Sequence, residues 1–382
     1  MKNVFIIGAT GSLGSEALRV IKDNRDKFSL LGVTGYKNFE RLIDICKEFK
    51  PPYAGIQGKF IDYIKSQCSE DIAVFDVEKR LIEILEESDP DLVLVLSSGI
   101  GALESVDYLL KKGKTIGIAN KETIIAGGEL IFREENLKNI IPIDSEPSAI
   151  FQCLLGEQKK SVNKLIITAS GGPFWNMSEE ALRYVKPEDA LKHPNWVMGK
   201  KITIDSATMA NKAFEVIESH FLFGVPYEKI RAIVHRESII HSLVEFTDGN
   251  IKALMSKTRM YYPLQFAMSY PERIKTSIGF LDLAEVGMLT FFPMNIKKFP
   301  AFNVILNAVK DGGNRLPLLI AADEIGVKYF LEEKISFTDI PIVIEETLSK
   351  VPFSKLSSLK DVEESYKVGI MEAEKIVIRR KL

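Results

Sequence analysis

Two acidic residues near the middle of the sequence, and a polar helix face beyond them, are the first groups that could do chemistry. Asp144 and Glu146 flank Ser145 at the end of the apolar run Ile140–Ile143. On an extended segment, residues i and i+2 project to one side, so this pair is expected to present two carboxylates together at a strand's carboxyl end. Hard oxygen donors of this kind suit Mg²⁺ or Mn²⁺, which complete their shells with water and substrate oxygens. Alone, Asp-x-Glu is common on solvated loops. A second segment, KITIDSATMANKAFEVIESHF, strengthens the case. It begins strand-like, offers Asp205-Ser206 as a helix N-cap and continues helically. Asn211 and Lys212 lie four and three residues before Glu215, so all three share one helical face. Lys212 and Glu215 by themselves would make an ordinary surface ion pair. With Asn211 and Ser206 beside them, and apolar Met209 and Phe214 as neighbours, they can instead hold a phosphate and leave Glu215 as a third metal oxygen.

A glycine turn supplies a different chemistry. Gly8-Ala9-Thr10-Gly11-Ser12-Leu13-Gly14 follows the strand-like run Val4–Ile7 and precedes a helical pattern. Glycines there allow a tight turn and let backbone amides approach a pyrophosphate at a helix N-terminus. The spacing is G-x-x-G-x-x-G, looser than the commoner G-x-G-x-x-G, but its place between strand and helix supports dinucleotide binding. An NAD site usually carries an acid at the end of its second strand, for the ribose 2′-hydroxyl. Here that strand runs into Gly35-Tyr36-Lys37-Asn38. With no carboxylate at hand and Lys37 available for a 2′-phosphate, NADPH is the expected cofactor.

These groups need elements to position them. Apolar runs at Val4–Ile7, Leu30–Thr34, Tyr53–Ile56, Ile72–Phe75, Leu92–Leu96, Thr115–Ile118 and Ile140–Ile143 alternate with amphipathic stretches. That alternation predicts βαβ units and a parallel, doubly wound sheet. From about Ser161 the character changes. LIITAS and KITIDS read as strands separated by a long Gly/Pro-rich and aromatic loop, a candidate lid containing Trp175 and Trp196. HSLVEF and NIKALMS flank Thr247-Asp248-Gly249, a hairpin signal. After Pro293 the pattern is almost wholly helical and predicts a bundle. The expected class is α/β: a Rossmann-type domain over 1–149, an α+β catalytic and dimerisation domain with a lid loop over 150–292, and a helical bundle over 293–382.

Composition bounds the rest. The 382 residues are 46% hydrophobic, with 50 basic against 52 acidic side chains. A formal net charge of -2 offers no surplus for a nucleic-acid backbone. No apolar run is long enough to span a membrane, and the opening segment is too short for a signal peptide. Cys46, Cys68 and Cys153 are too few and too scattered for a disulfide framework or a cysteine zinc site, and read as inert small hydrophobes. A cytoplasmic enzyme is expected, with no nucleic-acid or membrane partner.

GATGSLG, IANKET, PIDSEPSAIF, ASGGPF, HPNWVMGKKITIDSATMANK and IIHS occur in one order along the chain. Together they closely resemble the 1-deoxy-D-xylulose 5-phosphate reductoisomerase family, over essentially the whole length. The resemblance implies a V-shaped homodimer, with a four-helix C-terminal bundle in each subunit. It implies NADPH-dependent, metal-dependent conversion of a small phosphorylated sugar, 1-deoxy-D-xylulose 5-phosphate, to 2-C-methyl-D-erythritol 4-phosphate in the non-mevalonate isoprenoid pathway. Carried over by position, it puts NADPH on Gly8, Thr10, Gly11, Ser12, Leu13, Gly14, Lys37, Asn38, Asn120, Glu122 and Gly199. The metal, Mg²⁺ or Mn²⁺ with Co²⁺ as a further possibility, falls to Asp144, Glu146 and Glu215. Substrate contacts fall to Lys121, Ser145, Glu146, Ser170, His193, Ser206, Asn211, Lys212 and Glu215, with Ser170, Ser206, Asn211 and Lys212 on the phosphate. Trp196 and Met198 resemble lid residues, and Lys121, Glu146 and His193 the catalytic ones. Tyr36, Thr123 and Pro147-Ser148 depart from the family pattern, Tyr36 where a small residue is usual. His241 is a supporting candidate; His220 and His235 read as structural. Two other readings fit parts of the sequence: an NADP-linked semialdehyde or homoserine dehydrogenase, and a non-catalytic sugar-phosphate sensor. The first needs no three-acid metal site, and the second has no use for one.

Overall fold

The computed structural model describes residues 1–192, 196 and 199–380. It packs into two compact units. The first comprises 1–123, 134–148 and 260–279; the second comprises 124–133, 149–259 and 280–382.

In the first unit the apolar runs become strands β1 (Lys2–Ile7), β2 (Phe28–Thr34), β3 (Tyr53–Ile56), β4 (Ala73–Asp76), β5 (Leu92–Val95), β6 (Ile116–Ile118) and β7 (Ile140–Pro142). They form one sheet in the order β4-β3-β2-β1-β5-β6-β7, and every pairing is parallel. Strands covered on both faces must be apolar throughout, and LVLV of β5 is buried at all four positions. The order reverses at β1, whose neighbours are β2 and β5, so the crevice outside its carboxyl end is where a ligand is expected. Residues 260–279 belong to this unit. Tyr261 Oη donates to Asp23 Oδ2 at 3.0 Å and Lys2 Nζ donates to the Met268 carbonyl at 3.2 Å. The three-part division expected from sequence had set this segment in the central domain.

The second unit holds a five-stranded sheet of β8 (Val162–Ala169), β9 (Ile230–Val234), β10 (Ile240–Phe246), β11 (Ile251–Met255) and β12 (Phe292–Pro293), in the order β11-β10-β8-β9-β12. β10 and β11 form the expected antiparallel hairpin around Thr247-Asp248-Gly249, while β8 and β9 run parallel. Ile150, Leu165, Ile167, Val216 and Val244 fill the core under this sheet. Four helices, Pro300–Ala308, Arg315–Leu331, Ile340–Lys350 and Leu359–Arg380, supply the helical C-terminal region. Among the described residues no helix is long and apolar enough to cross a membrane.

Two local expectations are corrected. KITIDS is not a strand: Lys200–Thr208 is helical, and Asp205 and Ser206 lie inside that helix rather than capping the next. The break comes at Met209, left-handed at φ 64, after which helix Ala210–Phe223 begins. Asp144 and Glu146 do not share an extended segment either. β7 ends at Pro142, and Glu146 sits in the first turn of helix Ser145–Leu154.

Candidate active site

Most of the residues expected on the nucleotide lie in the first unit. Gly8 stands at φ +92, and a Cβ there would lie 2.5 Å from the Ser97 amide nitrogen. A Cβ on Gly14 would lie 2.3 Å from the Ala9 carbonyl oxygen. Neither position admits another residue, so the turn reaches helix Ser12–Asp23 with its backbone drawn against the ends of the sheet. Gly11 is the helix N-cap and brings no side chain to compete for the first amides, as an anion site at a helix start requires. Asn38 accepts a hydrogen bond from Arg41 N at 3.1 Å and so caps helix Phe39–Phe49. Lys37 is exposed beside it. Asn120 is buried, donating to the Gly99 carbonyl at 2.9 Å and accepting from Thr123 N at 2.8 Å. Thr123 Oγ1 also donates to Gly99 O, so the hydroxyl at this departure from the family pattern is used. Glu122, next to it, is buried.

Lys121 opens helix Lys121–Ile131, and its ammonium lies 2.8 Å from Asp144 Oδ2 with both side chains largely buried. Ser145 N donates to Asp144 Oδ1 at 3.1 Å, and Ser145 Oγ donates to Glu146 Oε2 at 2.5 Å. Lys121, Asp144, Ser145 and Glu146 therefore form one charged, hydrogen-bonded cluster at the β7 end of the sheet.

The residues expected on the phosphate lie in the second unit. Helix 210–223 is no surface helix: Lys212 is 6% exposed and Glu215 0%. Lys212 Nζ donates to Glu215 Oε2 at 2.6 Å and to the Thr168 carbonyl at 2.9 Å, while Asn211 Nδ2 donates to Glu215 Oε1. The helical spacing thus brings amide, ammonium and carboxylate together as expected, and the Thr168 contact pins them to the end of β8. Ser170 follows two residues on, its Oγ accepting from Gly172 N at 3.1 Å. Gly172, at φ +65, lies so close to helix 200–208 that a Cβ would be 3.0 Å from the Ser206 carbonyl. The segment that carries Ser170 thus meets Lys212 at Thr168 and the Ser206 backbone at Gly172. Gly199 is the N-cap of helix 200–208. His193 and Met198 lie outside the described residues. Trp196 stands with its ring centroid 6.2 Å from that of His241, and His241 Nε2 is 2.8 Å from Ser256 Oγ. His220 and His235 bond to the carbonyls of Val225 and Thr290, in keeping with structural roles.

Sequence reasoning passed over Arg236. Its guanidinium donates to the carbonyls of Ser170 and Gly172, clamping the loop that carries Ser170, and burial lowers its pKa. No motif marks it; its place two residues after β9 is the clue the sequence offers. Lys201 was missed as well. It bridges Asp205 at 2.7 Å and Asp323 at 2.5 Å, tying helix 200–208 to helix 315–331.

A wholly parallel sheet with a glycine turn at its reversal point, a lysine where NAD enzymes carry an acid, and a separate unit bearing a buried Asn-Lys-Glu cluster define an NADP-linked oxidoreductase. Comparison with known proteins narrows the class. Family models described as 1-deoxy-D-xylulose 5-phosphate reductoisomerase, its C-terminal domain and the DXP reductoisomerase C-terminal domain match residues 4–128, 140–223 and 255–368. The reductoisomerase of Sulfurihydrogenibium sp. is 46% identical over 95% of this chain and 94% of its own; that of Persephonella marina is 41% identical over 95% and 94%. The Zymomonas mobilis reductoisomerase, solved with NADPH, superposes with a TM-score of 0.91 at 33% identity, covering 98% of this chain and 99% of that one. A DOX-P reductoisomerase solved with NADPH, fosmidomycin and magnesium gives 0.91 at 30% identity, covering 99% and 98%. The chain belongs to the 1-deoxy-D-xylulose 5-phosphate reductoisomerase family.

Proposed function

We infer that this chain converts 1-deoxy-D-xylulose 5-phosphate to 2-C-methyl-D-erythritol 4-phosphate, consuming NADPH and requiring a divalent cation. The observation that carries the reading is Glu215, a fully buried carboxylate held by Asn211 and Lys212 in a chain that matches its family almost end to end. We assign the cation, Mg²⁺ or alternatively Mn²⁺ or Co²⁺, to Asp144, Glu146 and Glu215. Their oxygens are the hard donors such ions select. The cation, when bound, supplies Lewis-acid polarisation of the substrate's carbonyl, and NADPH supplies the hydride for the reductive step.

The residues do the positioning. Ser170, Ser206, Asn211 and Lys212 take the phosphate, anchoring the sugar by the end remote from the reacting carbons. Lys121, held by Asp144, reaches the reacting oxygens and can donate a hydrogen bond or a proton there. Ser145 steadies Glu146. We assign Gly8, Thr10, Gly11, Ser12, Leu13 and Gly14 to the pyrophosphate, and Lys37, Asn38, Asn120, Glu122 and Gly199 to the rest of NADPH. His193, Trp196 and Met198 we assign to a lid that excludes water from the substrate. The working form we propose is a cytoplasmic homodimer. The cysteines are free thiols, as a reducing compartment would keep them.

The test is NADPH consumption with 1-deoxy-D-xylulose 5-phosphate. Turnover should vanish in EDTA and return with Mg²⁺. Turnover that survives EDTA would point to the metal-free dehydrogenase reading, and binding without any turnover to the sensor.

A further inference from the structure

β2 ends at Thr34, and the next residue, Gly35, has no room for a side chain: a Cβ would lie 2.7 Å from Thr10 Cγ2. Gly35 N also donates to the Gly55 carbonyl at 2.9 Å. These contacts press the end of β2 against both the glycine turn and β3, and so hold Tyr36 over the carboxyl ends of the strands, where open parallel sheets receive their ligands. Tyr36 keeps its side chain in solvent, 49% exposed, yet the ring is fixed. Its Oη donates to Glu78 Oε1 at 2.8 Å, and Gln57 Nε2 donates to the same Oη at 3.3 Å. Glu78 is itself placed by Asp76, the N-cap of helix Val77–Ser88, whose carboxylate accepts from Glu78 N at 3.1 Å. The hydrogen bond to Glu78 raises the Tyr36 pKa, so the phenol stays a donor. Lys37 Nζ lies 5.8 Å from the centroid of the same ring. An aromatic side chain tethered at its far end and half exposed has little freedom left to lose when a flat group covers it.

We propose that Tyr36 is the surface on which the adenine of NADPH stacks, its ring held by Glu78 and Gln57, with Lys37 beside it to take the 2′-phosphate. The proposal rests on NADPH being the cofactor. Every base has a π-face, so stacking strengthens binding without depending on the nicotinamide end.

The experiment measures dissociation constants for NADPH and for adenosine 2′,5′-bisphosphate, a probe with the adenine and 2′-phosphate but no nicotinamide, on the full-length chain by calorimetry. Tyr36→Ala should weaken both ligands by the same factor, about tenfold. Tyr36→Phe and Glu78→Ala, which keep the ring but free it, should each weaken both by about threefold. Tyr36→Trp should retain affinity, which separates loss of stacking from loss of fold. If Tyr36→Ala binds the bisphosphate as tightly as the parent chain, the stacking role is overturned while the cofactor assignment stands. If the parent chain itself fails to bind NADPH, the cofactor assignment falls first.

Discussion

At the scale of single residues, burial decides what each group can do. Glu215 has no contact with solvent and shares its two oxygens between Asn211 and Lys212. Glu215→Gln preserves shape and removes the charge, so turnover should fall roughly a hundredfold or more while the NADPH dissociation constant stays put. Steady-state kinetics and calorimetry read the two effects separately, and unchanged turnover would deny Glu215 its ligand role. The thiols show the same control by burial. Desolvation pushes Cys46 up to about 12, helped by the neighbouring Cys68, and Cys153 up to about 11. A thiol reacts as its thiolate, so near pH 8 the folded protein should release no more than one equivalent to a disulfide reagent, from half-buried Cys68, and three only after denaturation. The Asn211, Lys212 and Glu215 cluster was legible because helical spacing alone puts those side chains on one face. Glu146 was misplaced because Asp-x-Glu was read as extended. Pro147 carried the contrary signal: proline fits the first turn of a helix, where its missing amide has no partner to lose.

At the scale of elements, the parallel sheet was almost wholly readable, since a strand buried on both faces must be a short unbroken apolar run between turns. β1, β3, β5 and β7 fall within a residue or two of the runs that predicted them. Helix 200–208 was not readable. Ile202, Thr203 and Ile204 are β-branched and look like a strand. Inside the helix its hydroxyls are satisfied by its own backbone, Thr203 Oγ1 donating to the Gly199 carbonyl at 2.8 Å and Thr208 Oγ1 to that of Asp205 at 3.1 Å. Lys201 then fastens it through Asp205, 2% exposed, and Asp323, 0% exposed. Lys201→Met removes a cation that bridges two buried carboxylates and should cost about 3 kcal/mol, read from denaturant unfolding. Because this helix carries Ser206, KM for the sugar phosphate should rise with it, and a Lys201→Arg variant should recover part of both losses. In the first unit, Gly14→Ala would drive a methyl group into the Ala9 carbonyl. It should destabilise the fold by about 3 kcal/mol or more and weaken NADPH.

At the scale of the whole molecule, what the sequence hid is how the chain returns to its first unit after entering the second. Helix Tyr261–Ser269 is buried at nearly every position, so it has no amphipathic stripe to say which neighbour it packs on. Only the finished fold reveals its partners, Asp23 and Lys2 among them. The stretch that follows has the opposite character. Phe280, Leu283, Met288, Phe291, Phe292 and Ile296 are all exposed, Phe280 and Met288 at 74% and 72%. Six large apolar side chains are exposed within seventeen residues, a stretch that includes the two-residue edge strand β12, and so much exposed apolar surface marks a candidate interaction surface. A second copy of the chain is the occupant the proposed dimer would supply. Sedimentation should then give twice the 42.9 kDa chain mass, and Phe280→Asp with Met288→Asp should halve it. Neither residue has a place in the NADPH, metal or phosphate sets, so the monomer should still bind NADPH. If the double variant sediments as the parent does, this patch is not the dimer surface. If the parent already sediments at a single chain mass, the homodimer itself is wrong.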